Sequence, residues 1–343
     1  MNHKLFLALS LAIALLVFPQ CQKKEMPPGP FSIKIPLGLD PNLNFPEDNP
    51  PTAEKVELGR LLYFDERLSA DDTVSCATCH HPEKGWGDNA EVSTGIKGQK
   101  GARSAPTAVN STYMLSQFWD GRAKNLEDQS KGPLINPIEM GNPNHDAVVE
   151  KIKKIPGYQP LFQKAFGEGP NIDNIAKAIA SFERTTLGGN SPFDRYQNGD
   201  LKAMSEAEIR GKDLFFGKAN CTQCHVGFNF SDSDFHNLGV GMNKPKPDLG
   251  RFDFTKKEED KGAFKTPTVR DITRTAPYMH DGSQKTLEEV VEFYDKGGEP
   301  NPRLDFRMVK LNLTAQEKAD LVSFMKALDS DPYPSAEKPE LPK

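Results

Sequence analysis

Blocks of like charge are missing from this chain of 343 residues, whose net charge is only −5. Its lysines are scattered rather than gathered, which excludes the basic patch that a nucleic-acid binder needs. Long apolar runs are missing too. The one candidate, Leu5 to Phe18 after Lys4, is too short to span a bilayer comfortably and reads as the core of a signal peptide over residues 1–20. Apolar residues make up 36 % of the chain and aromatics 9 %, which is modest for a packed interior, and sheet signals are sparse. Cysteine is scarce, five in all, and four of the five stand in two short clusters. The length fits one large domain or two ordinary ones.

The clusters are Cys76-Ala77-Thr78-Cys79-His80 and Cys221-Thr222-Gln223-Cys224-His225. C-x-x-C-H reads as the attachment sequence of a c-type haem: two thiols add across the vinyl groups of the porphyrin, and the adjacent histidine ligates the iron. The alternative is a four-thiolate zinc cage, against which the pairs are far apart and each is followed at once by histidine. Two covalently bound c-type haems are expected, each giving its domain a large apolar face to fold around. Such haems are attached outside the bacterial cytoplasm, in agreement with a signal peptide and a periplasmic location. Cys21, the cysteine left over, suggests a lipid anchor. Phe18-Pro19-Gln20 is a poor lipobox, however, and no A-x-A cleavage site stands nearby.

Residues 21–50, rich in Pro, Asn and Lys, read as an exposed tether or wrapping arm. A helical pattern begins at Thr52, with Val56, Leu58, Leu61, Leu62 and Phe64 on its apolar face. There is also an internal repeat: Gly59-Arg60-Leu61-Leu62-Tyr63-Phe64 precedes the first motif and Gly211-Lys212-Asp213-Leu214-Phe215-Phe216 the second. Gly- and Pro-rich loops follow the first motif to about residue 142. Helices are expected near Asp146–Lys154 and over Ile172–Thr185, where Ile172, Ile175, Ile179 and Phe182 fall at helical spacing. Leu187 to Pro192 is the natural boundary. A last helix opens on a capping box, Thr314 with Glu317, and carries Leu321, Phe324, Met325 and Leu328 on one side. The expected fold is mainly α: two tandem cytochrome c-like domains with long loops, over residues 51–190 and 200–330, one covalent haem each.

A haem iron with two strong axial ligands shuttles electrons, whereas one with a vacant face binds peroxide or oxygen. Function therefore turns on what lies opposite His80 and His225. His81, His145, His236, His280 and several Met and Tyr residues are the candidates, and spacing alone decides nothing among them. Further segments carry a resemblance: Phe118-Trp119-Asp120-Gly121-Arg122-Ala123, Pro137-Ile138-Glu139-Met140, Arg103-Ser104-Ala105-Pro106-Thr107, Phe235-His236-Asn237-Leu238-Gly239, Phe264-Lys265-Thr266-Pro267-Thr268, Thr275 through Gly282, and Thr286-Leu287-Glu288-Glu289. In this order, over about residues 50 to 328, the chain resembles the bacterial dihaem cytochrome c peroxidase superfamily, which includes the MauG-type enzymes.

The resemblance implies that His80 is the proximal ligand of a peroxidatic haem and His225 that of an electron-transfer haem. It implies that Trp119 bridges the haems, although as a bare residue Trp119 is simply a large aromatic beside a turn. Glu139 corresponds to the distal-pocket acid, with Gln129 and Pro133 lining the same pocket. A carboxyl in a partly dry pocket can have its pKa raised toward proton transfer during O–O cleavage; the plain alternative is a solvated loop carboxylate. A calcium ion between the domains is implied too, at the carbonyls of Thr275 and Pro277, with Ser104 where an asparagine is usual.

Two positions depart from the peroxidase pattern. The loop histidine expected before Arg103 falls by ungapped count at Ile96, which cannot ligate iron, so the first haem is expected to be five-coordinate. The place of the second haem's methionine falls at Tyr294, which resembles MauG, and a phenolate ligand favours oxidised iron; the alternative there is a buried tyrosine packing on the haem, with Met279 or another residue as ligand. The expected function is reduction of hydrogen peroxide to water with electrons from a small c-type cytochrome or cupredoxin. The alternatives are a MauG-like oxidase, whose high-valent iron oxidises aromatic residues of a partner protein, and a non-catalytic dihaem electron carrier.

Overall fold

The structure, a computed structural model, describes residues 31–343. The expected signal peptide, Cys21 and the tether up to residue 30 lie outside the described residues. Residues 33–343 form one compact unit. Among the described residues no helix is long and apolar enough to cross a membrane.

The fold is mainly helical. In chain order the longer helices are α1 (Ala53–Tyr63), α2 (Leu126–Ile135), α3 (His145–Lys153), α4 (Tyr158–Phe166), α5 (Ile172–Glu183), α6 (Glu206–Phe216), α7 (Leu287–Asp295) and α8 (Ala315–Lys326). Two short strands, β1 (Phe235–His236) and β2 (Phe264–Lys265), pair antiparallel with Phe235 opposite Lys265. The ends are set by local chemistry. Thr52 accepts the Lys55 N–H ahead of α1, and capping boxes open α6 (Ser205 with Glu208) and α8 (Thr314 with Glu317).

Two hydrophobic cores lie along the chain, one built mostly from residues 58–182 and one from residues 193–328. Each is organised by a pair of crossing helices, α1 on α5 and α6 on α8. The pairs match in detail. A methyl group on Gly59 would come 1.9 Å from the Ala178 carbonyl oxygen, and one on Gly211 would come 1.9 Å from that of Asp320. One turn further on, Tyr63 meets Phe182 edge-on at 5.1 Å, and Phe215 meets Phe324 edge-on at 5.2 Å. The sequence repeat is therefore a repeat of packing, as tandem cytochrome c-like domains require.

One expectation fails in the loop after the first motif, where α2 forms. Asn125 caps it by accepting the Asp128 N–H, and Pro133 stands in its last turn, where the missing N–H costs the helix only the one bond to the Gln129 carbonyl. Gly132 and Pro133 hid this helix by reading as loop punctuation.

Long segments tie the two cores together. From residue 33 the arm lies against the body: Asn49 Nδ2 donates to Ser181 Oγ at 3.3 Å, Tyr113 Oη to the Asp40 carbonyl at 2.7 Å, and Arg270 to the Gly38 carbonyl at 3.2 Å. Between the two cores, Gly188 exchanges hydrogen bonds with the Asn110 side chain at 2.9 and 3.0 Å. The C-terminal tail returns to the first core, where Trp86 Nε1 donates to the Pro334 carbonyl at 2.9 Å.

Candidate functional site

Each cysteine motif is a single tight turn, Cys76–Cys79 and Cys221–Gln223. In each, the histidine N–H donates back to the first cysteine's carbonyl at 2.9 Å, which turns the imidazole inward. His80 Nδ1 lies 3.3 Å from the Trp86 carbonyl and His225 Nδ1 lies 3.0 Å from that of Phe230. Those contacts place the ring proton on Nδ1 and leave Nε2 bare, the tautomer a metal needs. Burial lowers both pKa values and keeps the rings neutral. Burial also pushes the Cys79 thiol up to about 11 and the Cys221 thiol up to about 12, and raises that of Cys76.

These groups fit two covalent haems. The four cysteines do not gather as a zinc cage needs: among the described residues the one close group of potential metal ligands is Cys224, Asp232 and His236. Beside the second motif a cavity of about 270 Å³ opens, lined by Cys221, Cys224 and His225 together with Trp119, Met279 and Tyr294.

Around the first motif, the loop of residues 93–99 connects the cysteines to Glu139. The Thr94 carbonyl lies 4.0 Å from Cys79 Sγ, and the Ile96 N–H donates to the Glu139 carbonyl at 3.0 Å. Gly95 is required here, since a methyl group on it would come 1.9 Å from the Ile138 carbonyl oxygen. The Glu139 carboxylate accepts from Asn136 Nδ2 at 2.9 Å, and its pKa is raised by burial against an opposing pull from Arg122. Its charge reaches Cys79. Glu139 itself is half-buried. Gln129 stands on α2, one turn ahead of Pro133, half-buried. Ile96 is buried in the first core.

Trp119 lies on the second cavity's wall with its Nε1 donating to the Ser104 carbonyl at 2.9 Å. From Ser104 the chain runs through Pro106, which faces the His80 ring, so residues 104–107 lie between the two motifs. Tyr294, on α7, stands half-buried on the wall of the same cavity, and desolvation together with the charges of Cys224 and Cys221 raises its phenol. Ser104, Thr275 and Pro277 share that cavity's wall.

The remaining histidines have other partners. His81 accepts the Glu83 N–H at 3.2 Å and His145 Nε2 lies 3.0 Å from the Lys131 carbonyl. His280 stacks on Phe264 with ring centres 3.6 Å apart, and burial pushes it down to about 4. His236 is bracketed by Asp305 at 2.7 Å and Asp232 at 3.0 Å. Burial works against its charge, yet bonds to Cys224 and these carboxylates raise its pKa to about 10. Sequence reasoning missed two buried charged groups. Lys265 lines the second cavity. Glu183, near Cys76, is pushed up to about 8 by burial and has no partner for Oε2. Only their place inside a helix or strand pattern hinted at burial.

Known proteins are similar to this chain. A family model described as di-haem cytochrome c peroxidase matches residues 53–202. The methylamine utilization protein MauG of Methylorubrum extorquens is 43 % identical over 291 residues, covering 84 % of this chain and 81 % of that one. Cytochrome c551 peroxidase of Nitrosomonas europaea is 39 % identical over 298 residues, 85 % of each chain. Among solved structures, a MauG-like protein associated with microbial copper homeostasis superposes with a TM-score of 0.78 at 34 % identity, over 92 % of this chain and 97 % of that one.

Proposed function

Because the chain belongs to the di-haem cytochrome c peroxidase family, whose members include the MauG proteins, we propose that it reduces hydrogen peroxide to two waters. The two electrons come from a small periplasmic redox protein, a c-type cytochrome or a cupredoxin. The observation that carries this reading is Glu139, a half-buried carboxyl with a raised proton affinity, tied by the Ile96 N–H to the loop whose Thr94 carbonyl meets Cys79 of the first motif.

When bound at His80, the haem supplies an iron that takes peroxide and passes electrons. Glu139 accepts a proton from one peroxide oxygen and returns it to the other as the O–O bond breaks. Two protons from solvent and two electrons complete the two waters. Gln129 lines the same pocket from α2, and Ile96 offers it no ligating atom. His225 and Tyr294 would hold the second haem, and Trp119, on the wall of the same cavity, would carry electrons between the two sites by way of the segment that begins at Ser104. The carbonyls of Thr275 and Pro277 would hold a calcium ion, which would brace that segment. Support for it is the shared wall with Ser104 and the lack of a hydrogen-bond donor to either carbonyl among the described residues. Residues 1–20 export the chain to the periplasm, with a lipid at Cys21 as anchor.

A second reading rests on Tyr294, a phenol on the second cavity where a thioether would raise the potential. It makes the protein a MauG-like oxidase of a partner's aromatic side chains. Peroxide-driven oxidation of reduced cytochrome c decides between the two. Two cytochromes oxidised per peroxide over many turnovers supports the peroxidase. No turnover, with aromatic residues modified on a co-expressed partner, sinks it in favour of the oxidase.

A further inference from the structure

The side chains around the second cavity do not balance in charge. His236 and Arg307 are matched by Asp232 and Asp305, with Arg307 Nη1 2.9 Å from Asp305 and His236 between both carboxylates. A little further along, Arg103 and Arg122 are matched by Asp120 and Asp248, at distances of 2.7 to 2.9 Å. Of the lysines and arginines that line the cavity, Lys265 is the one left without a carboxylate partner among the described residues. It is 8 % exposed, and its Nζ donates to the Ser116 carbonyl at 2.8 Å, the one partner it has among the described residues. Asp120 is the acid whose charge reaches it, and that acid is already held by two guanidinium groups.

A buried ammonium with a single neutral partner is costly unless an anion joins it. The group that fills this cavity carries anions of its own, since a haem has two propionate carboxylates. We propose that Lys265 is the charge partner of a propionate of the second haem, and that through its place beside Trp119 it sets that haem's affinity for an electron. The backbone supports the second half of the statement: the Lys265 N–H donates to the Trp119 carbonyl at 2.7 Å. Any shift of the propionate anchor is thereby felt at the indole. Burial alone pushes the ammonium down to about 8, and a bound carboxylate reverses that push. This inference rests on a haem at the second motif and is independent of the peroxidase reading.

The test uses the protein with both haems attached and no peroxide. Lys265→Met is titrated spectroelectrochemically, and the propionate bending band is recorded by resonance Raman. Loss of a positive charge favours the ferric state, so the second haem's reduction equilibrium falls about tenfold, about 59 mV for one electron. The band shifts with it, while the first haem keeps its potential. An unchanged second potential and band, with two haems per chain by haemochrome assay, overturns the proposal. Should Lys265→Met fail to fold, Lys265→Arg carries the test, because it keeps the charge but moves it. The propionate band then shifts while the equilibrium stays within about threefold, whereas an unmoved band overturns the assignment.

Discussion

Ile96 and Glu139 are joined through their backbones: the Ile96 N–H donates to the Glu139 carbonyl at 3.0 Å. The bond fixes how the loop of residues 93–99 meets the first site, and it leaves the Ile96 side chain pointing into the core. There its Cδ1 occupies the space beside Gly141, 2.1 Å from where a methyl group on that glycine would stand. An apolar side chain committed to the core has nothing to offer a metal.

The resting ferric protein is therefore expected to show a high-spin haem signal by EPR beside a low-spin one. It reacts with peroxide without prior one-electron reduction. Two low-spin signals, with no reaction until an electron is added, would mean that another residue fills the first site.

Glu139→Gln removes the proton carrier but keeps the shape and the Asn136 contact. Peroxide turnover is expected to fall by roughly 10²–10⁴-fold, the usual worth of a positioned acid–base group. The pH profile carries the sign. The unprotonated carboxylate is the working form, and burial raises its pKa. Activity is thus lost as pH falls through a value above that of an exposed glutamate, and this acid limb is absent from the variant. Equal kcat/KM in the two proteins would remove Glu139 from the reaction.

Tyr294 and Met279 both line the second cavity, and a phenol oxygen and a thioether pull the potential in opposite directions. Tyr294→Phe is expected to change the low-spin EPR signature of the second haem and raise its midpoint potential, while Met279→Leu leaves both alone. The opposite pattern would assign the ligand to Met279.

Glu183 makes a prediction about stability. Its pKa is pushed up to about 8 in the fold from the ordinary 4.5 of a glutamate, mainly through burial. A group raised in this way stabilises the fold fully below the unfolded value and loses that contribution as pH climbs through the folded one. Denaturant midpoints of the wild type should fall between about pH 4.5 and 8, and Glu183→Gln should flatten that window. A slope that survives the substitution would place its origin in other groups.

The sequence made the helical class, the two motifs and the duplicated helix readable, because each rests on short-range spacing that a linear chain displays directly. Glycine spacing also carried the repeat, since Gly59 and Gly211 stand where two backbones touch. α2 was hidden because Gly132 and Pro133 signal a loop locally, while the Asn125 cap and packing on α5 decide otherwise. Lys265 and Glu183 were invisible for a different reason. Whether a charged side chain is buried without a group of opposite charge bonded to it depends on residues distant in the chain, and no local pattern reports it. The path of the C-terminal tail back to Trp86 is likewise a matter of tertiary contact.

The duplication makes the final prediction a paired one. At Gly59 and Gly211 an added methyl group would stand 1.9 Å from a backbone carbonyl oxygen of the facing helix, so no flexible side chain can yield and the helices must part. Gly59→Ala should disturb α1 against α5 and with it the Tyr63–Phe182 contact above the first motif; Gly211→Ala should do the same to Phe215 and Phe324 above the second. Each is expected to cost about 1–3 kcal/mol or more, the range for overpacking a core. Gly169→Ala serves as the control, since its methyl group would meet only Gln159 Oε1 at 3.5 Å and should change stability by no more than about 0.5 kcal/mol. Denaturation followed at the two haems' separate absorption bands reads the effect site by site. Gly59→Ala lowers the midpoint seen at the first haem more than at the second, and Gly211→Ala reverses that order. Identical losses at both haems in both variants would mean that the two cores unfold as one unit, and that the arm, the segment at Gly188 and the returning tail couple them more tightly than the helix pairs hold each core.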